Sequence, residues 1–247
     1  MRKSTLEYTE FKALFEQAIA QNSVEPLDDT QIHQFYDFNN HLLTVNKTTN
    51  LTAIRNISDV IYKHDIDSLL AAKYIPKNAR VLDVGCGPGF PAIPLAIARP
   101  DITFFALDST AKKIAFVNSA SKLLALDNLT AIAGRAEDAA ISRQLGSFDI
   151  VISRAVARMN VLTELCLPYV RIGGHFIALK GAKAAEEIAA AQNAITKLGG
   201  TLLAEHNKPL VLQDETQEAR CTIIVKKKSA ASTGFPRAFA MISKKPL

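Results

Sequence analysis

Val81-Leu82-Asp83-Val84-Gly85-Cys86-Gly87-Pro88-Gly89-Phe90 is the stretch on which the reading of this chain turns. Residues 80–84 form a short apolar run of strand type, and the run ends directly on a glycine-rich turn. Glycine accepts positive φ and lets a ligand come close to bare backbone. Residues 93–98 continue as a helix, whose N-terminus points back at the same place. Strand, turn and helix in that order open a β-α-β unit. In open α/β sheets, ligands bind beyond the carboxyl ends of the strands near the switch point.

Downstream the pattern repeats. Strands are expected at residues 102–107, 129–133, 148–152 and 175–179, with helices at 111–126, 161–170 and 184–198 between or after them. In the last helix Ile188, Ala191, Ile195 and Leu198 share one face. Strands alternating with helices of this length predict an α/β fold, a Rossmann-like doubly wound and mostly parallel sheet. Two closing strands, near 202–212 and 221–227, have no strong helix between them and are expected to form an antiparallel hairpin at one edge. Upstream, Phe11, Leu14, Phe15, Ala18 and Ile19 recur at helical spacing. Asp28 with Gln31 three residues later reads as a capping box for a second helix carrying Ile32, Phe35, Tyr36, Leu42 and Leu43. A third helix is expected over 58–74. This divides the chain into a helical extension (1–75), a sheet domain (76–228) and a basic tail (229–247). The tail carries Lys244 and Lys245 near its end and reads as a solvated, frayed terminus.

Composition narrows the class. The chain has 247 residues, 48% of them hydrophobic and 21% charged, enough for one large folded unit and not for a disordered one. Net charge is +5, compatible with a nucleic-acid partner without requiring one. Cys86, Cys166 and Cys221 are far apart and form no Cys-x-x-Cys pair, which argues against a zinc site or a disulfide framework and for a reduced, cytoplasmic setting. The first residues have no apolar core of a signal peptide, and no run of 18 apolar residues occurs. His33, His41, His64, His175 and His206 show no metal spacing.

The spacing of the turn bears on its ligand. Gly-x-Gly-x-x-Gly favours a dinucleotide and its pyrophosphate. Gly85-Cys86-Gly87-Pro88-Gly89 is instead Gly-x-Gly-x-Gly with Asp83 in the strand end, a form that suits S-adenosylmethionine (SAM). The rivals are a nicotinamide enzyme and a purely structural turn. Asp108 ends the next strand, where a carboxylate can accept from both ribose hydroxyls; it can equally cap the following helix with Ser109. Gly134-Arg135-Ala136-Glu137-Asp138 follows the third strand, where it borders an adenine or simply caps another helix.

Ile152-Ser153-Arg154-Ala155 ends the fourth strand, beside the position of methyl transfer. Many enzymes that methylate exocyclic amines carry Asn/Asp-Pro-Pro-aromatic here, and pyrimidine C5 methylation needs a cysteine nucleophile. This chain has neither. A ring nitrogen with a free lone pair, such as guanine N7, needs placement rather than a base. Arg154 is a candidate for the SAM carboxylate or an RNA phosphate, or else an ordinary ion pair. Lys180, in Leu179-Lys180-Gly181, is either near substrate or an exposed strand end. Arg154, Lys180 and Arg237 are taken as the basic residues that meet RNA phosphates.

Five runs together resemble one family. They are Asn50-Leu51-Thr52-Ala53-Ile54, His64-Asp65-Ile66-Asp67-Ser68-Leu69, Asp83 through Pro91, Ile152-Ser153-Arg154-Ala155 and Ala178-Leu179-Lys180-Gly181. In this order they are similar to RsmG (GidB), the bacterial small-subunit ribosomal RNA guanine-N7 methyltransferases. The resemblance implies a class I SAM-dependent methyltransferase sheet with an N-terminal helical extension. It implies SAM as methyl donor and 16S ribosomal RNA as substrate, at a guanine of the decoding-region loop, within the small subunit or an assembly intermediate. By motif position, Gly85, Gly87 and Phe90 contact SAM, as do Ala136, Glu137 and Arg154, with Asp108 on the ribose. A monomer is expected. The competing functions are a methyltransferase for a small molecule or protein, with the helices as its lid, and a SAM-sensing module without catalysis.

Overall fold

The computed structural model describes residues 6–231 and 234–247. Seven strands form the central sheet: β1 (Arg80–Val84), β2 (Thr103–Asp108), β3 (Leu129–Ala133), β4 (Phe148–Arg154), β5 (Val170–Lys180), β6 (Gly200–Asn207) and β9 (Cys221–Lys227). Their order is β3-β2-β1-β4-β5-β9-β6. The first five are parallel, while β9 runs antiparallel to both neighbours. The closing hairpin exists as expected, with one refinement. Its antiparallel member is inserted one place in from the edge, and β6 forms the edge. The continuous burial of β9 from Cys221 to Val225 suits an inner strand; β6 is largely exposed and does not. A separate two-stranded ribbon pairs β7 (Leu210–Val211) with β8 (Gln217–Glu218).

Helices cover both faces. On one side α1 (Tyr8–Asn22), α2 (Asp29–Thr49), α5 (Ala92–Ala98) and α6 (Ala111–Leu123) share a core with β1 that runs from Phe11 to Leu210. On the other, α8 (Met159–Cys166) and α9 (Ala184–Lys197) pack on β4 and β5 through Leu162, Phe176, Ile188 and Ile195. β1 and the middle of β4 are buried on both faces, which is why they read as continuous apolar runs. The helical extension and the sheet therefore share one core. Asp28 does cap α2: its side chain accepts the Gln31 N–H at 2.8 Å, and the Gln31 side chain returns the bond to the Asp28 N–H.

Three segments differ from the sequence reading. The third helix is not continuous. It is α3 (Ile57–Val60), a π-helical turn (Ile61–Ile66) and α4 (Asp67–Leu69), followed after a short turn by a 3₁₀ turn (Ala72–Tyr74). A short α7 (Ala139–Leu145) carries too few apolar residues to be read from periodicity. The tail is not frayed: α10 (Phe239–Lys244) docks, with Ile242 fully buried. No helix among the described residues is long and apolar enough to cross a membrane.

Candidate cofactor and substrate site

The switch point lies between β1 and β4, where the strand order reverses direction. The turn after β1 opens there. Gly85 N–H and Cys86 N–H both donate to the Leu107 carbonyl, at 2.8 and 3.1 Å, which pins the turn to the end of β2. Gly85 has φ +75°, and a Cβ added to it would stand 2.4 Å from Val156 Cγ2. Only glycine fits both the backbone and the neighbour. Asp83 braces the turn from below, its Oδ2 accepting the Ala92 N–H of α5 at 3.1 Å. Its Oδ1 is buried without a hydrogen-bond partner. Burial pushes this carboxyl up to about 8, the Ala92 N–H working in the opposite direction.

Asp108 ties the turn to the next element. Its Oδ2 accepts the Gly87 N–H at 3.0 Å and its Oδ1 the Thr110 N–H at 2.8 Å, just before α6. The capping alternative thus holds, and each oxygen keeps a second lone pair for a ligand. A cavity of about 340 Å³ opens above these carboxyl ends, within the size range of small-molecule sites. Gly85, Asp108, Ala136, Glu137 and Val156 line it, together with Phe239 of the tail. In the loop after β3, Asp138 is the helix cap, accepting the Ala140 N–H at 2.7 Å. The Ala136 carbonyl is fixed by the buried Tyr169 hydroxyl at 2.7 Å, which leaves Glu137 facing the cavity.

A second cavity, of about 540 Å³, adjoins the first and shares Ala155 and Val156 with it. Its basic wall is Lys63, Arg154, Arg158, Lys180 and Arg220, against Asp67 and Glu187. Both carboxylates are already held. Asp67 accepts from Arg154 at 3.0 Å and from Arg220 at 2.8 Å, and Glu187 from Lys180 and the Met159 N–H. His64 Nδ1 accepts from Arg154 Nη2 at 3.1 Å, and Nε2 bonds Thr52 Oγ1 at 2.8 Å. Burial, reinforced by the adjacent Arg154 charge, pushes His64 down to about 3, so it is neutral at pH 7. None of the three cysteines lines this cavity, and all three are buried thiols.

The residues singled out from sequence fall into three groups. Gly85, Asp108, Ala136 and Glu137 meet at the first cavity. Gly87 and Phe90 stand behind it: Gly87 braces Asp108, while Phe90 is buried under His64, their rings stacked 4.3 Å apart. Arg154 lines the second cavity and spans it to the π-helical turn, donating to the Lys63 carbonyl at 3.0 Å and to Asp67. That is the ion-pair alternative, with an added bond to a carbonyl of the π-helical turn. Lys180 and Arg237 are not the free phosphate contacts expected of them. Lys180 Nζ is buried on the Ala157 carbonyl and Glu187, and Arg237 is clamped on Glu164. Sequence reasoning missed Arg158, Val156 and Phe239. Arg158, exposed on the cavity wall, is the one cation there with no ion pair among the described residues.

Sheet order, glycine turn and paired cavities at the switch point define a class I SAM-dependent methyltransferase. A solved structure shares the fold: "M. jannaschii TYW2 in complex with AdoMet" superposes with TM-score 0.52 at 17% identity over 65% of this chain and 74% of that one. The family model "GidB: rRNA small subunit methyltransferase G" matches residues 31–211. Proteins named ribosomal RNA small subunit methyltransferase G are similar along nearly the whole length. That of Clostridium botulinum (strain Alaska E43) is 44% identical over 90% of this chain and 92% of its own. That of Lactobacillus johnsonii is 39% identical over 95% and 98%. The chain belongs to the GidB family of small-subunit ribosomal RNA methyltransferases.

Proposed function

We propose that this enzyme transfers the methyl group of SAM to N7 of a guanine in the decoding-region loop of 16S ribosomal RNA, acting as a cytoplasmic monomer on the small subunit or an assembly intermediate. The single observation that carries the N7 assignment is the state of the second cavity. Every carboxylate on its wall is paired with a cation, and its one histidine is neutral with both ring nitrogens engaged. Among the described residues no side chain there is free to take a proton from an exocyclic amine, and none that lines it is a thiol that could attack a pyrimidine. A guanine N7 lone pair requires neither.

The first cavity fits SAM on its own geometry: a turn that a Cβ at Gly85 would block, and an Asp108 carboxylate with spare lone pairs at its floor. SAM supplies an electrophilic methyl on a sulfonium. The chain's residues place the partners. Asp108 receives the ribose hydroxyls, Ala136 and Glu137 border the base, and the Gly85 backbone faces the amino-acid end. Ala155 and Val156, common to both cavities, mark where donor and acceptor meet. Arg154 sets the position of the His64 wall, and Arg158 is the residue available to an RNA phosphate.

The test offers the enzyme and tritiated SAM to unmethylated 30S subunits, 50S subunits and total cell protein. Label confined to 16S RNA is expected. Label in protein or small molecules with none in RNA overturns the substrate assignment.

A further inference from the structure

The C-terminal segment is built onto the enzyme, and it brings Phe239 to the first cavity. Arg237 is its anchor. Its backbone N–H and Nε donate to Glu164 Oε1 at 3.0 and 2.8 Å, and Nη2 donates to Oε2 at 2.6 Å. Glu164 is fully buried. A charged carboxylate is stable there only because this bidentate partner is present. On either side of the anchor, Phe235 lies under the cations of Lys197 and Arg237, and Ile242 inserts into the core between sheet and helices. Two residues past Arg237, Phe239 is brought to the rim of the first cavity beside Leu165 and Glu137. It remains 42% exposed although it opens a docked helix.

The same cavity has a polar lining in Asp108, Ser109 and Thr110. An aromatic ring that shares a cavity with hydrogen-bonding groups can recognise a purine, the ring by stacking and the polar groups by hydrogen bonds. We propose that Phe239 is a binding residue for the adenine of SAM, and that residues 234–247 form a strap whose docking through Arg237 and Glu164 completes the cofactor site. The proposal rests on the reading that the first cavity holds SAM. It makes cofactor affinity depend on a segment outside the sheet domain. It also gives the basic tail a function at the cofactor rather than at the RNA.

The chain contains no tryptophan, so a single Phe239→Trp substitution gives a fluorophore at this position alone. The experiment titrates S-adenosylhomocysteine into the full chain. Wild type and F239A are followed by calorimetry, and F239W by its emission. F239A is expected to bind about tenfold or more weakly, the size of a lost base–aromatic contact, and F239W emission is expected to change saturably with ligand. The ligand-free melting temperature of F239A stays at the wild-type value, which separates a lost ligand contact from a structural defect. F239A binding within about twofold of a wild type that does bind overturns the strap and leaves the cavity assignment standing. A wild type that does not bind S-adenosylhomocysteine overturns the cavity assignment, and the strap with it.

Discussion

Gly85 concentrates two constraints in one residue. Its φ of +75° disfavours any side chain, and Val156 Cγ2 occupies the place of a Cβ at 2.4 Å. G85A is therefore expected to weaken S-adenosylhomocysteine binding by about tenfold or more, from left-handed strain plus displacement of Val156. In G85A/V156A the steric part is relieved, and calorimetry should show affinity partly recovered. Full recovery would mean that backbone conformation contributes nothing. Asp83 makes a second prediction. Its carboxyl is raised by burial to about 8, above its unfolded value near 3.8, so the folded protein holds a proton that the unfolded chain releases. That contribution is complete below about pH 4 and is lost as pH rises toward 8. Melting temperatures between pH 5 and 8 should fall more steeply for wild type than for D83N. Parallel curves would show that Asp83 is ionised in the native state. At this scale the sequence was most informative. Gly85 and Asp108 declare themselves by residue type and spacing. Arg237 did not, because its partner Glu164 is distant in sequence and nothing local marks an acid that will be buried.

At the scale of elements, the break in the third helix governs the second cavity. Arg154 donates to the Lys63 carbonyl in the π-helical turn and pairs with Asp67 just beyond it. Arg154 is largely buried, with 11% of its side chain exposed. Removing it strands Asp67 beside Arg220 alone and takes away the side-chain donor to the Lys63 carbonyl. R154A is expected to cost about 3 kcal/mol of stability in urea unfolding. R154K should recover only part, because a point charge cannot serve several acceptors at once. A loss within about 0.5 kcal/mol would show the contacts to be incidental. The same element predicts the pH response of turnover. With His64 neutral down to about 3 and both wall carboxylates ion-paired, no described side chain on that wall is free to act as a base, so kcat should be flat between about pH 6 and 7.5. A profile rising with a slope of one across that range would demand a general base. The strands and long helices were legible because their periodicity reports burial. The π turn was not, since its apolar spacing is that of an ordinary helix and the arginine bonded to it lies about 90 residues away. α7 was hidden for the opposite reason: Leu145 is its one buried residue.

In the whole molecule, helices on one face and a tail on the other converge on the carboxyl ends of a single sheet. The helical extension and the sheet share one core through Phe38, Phe90 and Phe116, so the extension cannot act as a detachable lid. Arg158, exposed beside a wall of paired charges, is the residue through which RNA binding should be adjusted. R158A is expected to raise the KM for 30S subunits severalfold, to lessen its salt dependence and to leave S-adenosylhomocysteine affinity unchanged. An unchanged KM would place the RNA elsewhere on the surface. The identity of the RNA is the part least visible from residue chemistry. The glycine turn indicates SAM and the second cavity indicates an acceptor without a proton to lose, while the choice of ribosomal RNA rests on family. The measurement that tests the whole account most directly is chemical mapping of the methylated base. Unmethylated 30S subunits are incubated with enzyme and SAM, and the 16S RNA is then reduced with borohydride and cleaved with aniline. The account predicts one enzyme-dependent cut, at a single guanine of the decoding-region loop. Methyl incorporated into 16S RNA without such a cut would put the group on another atom and contradict it.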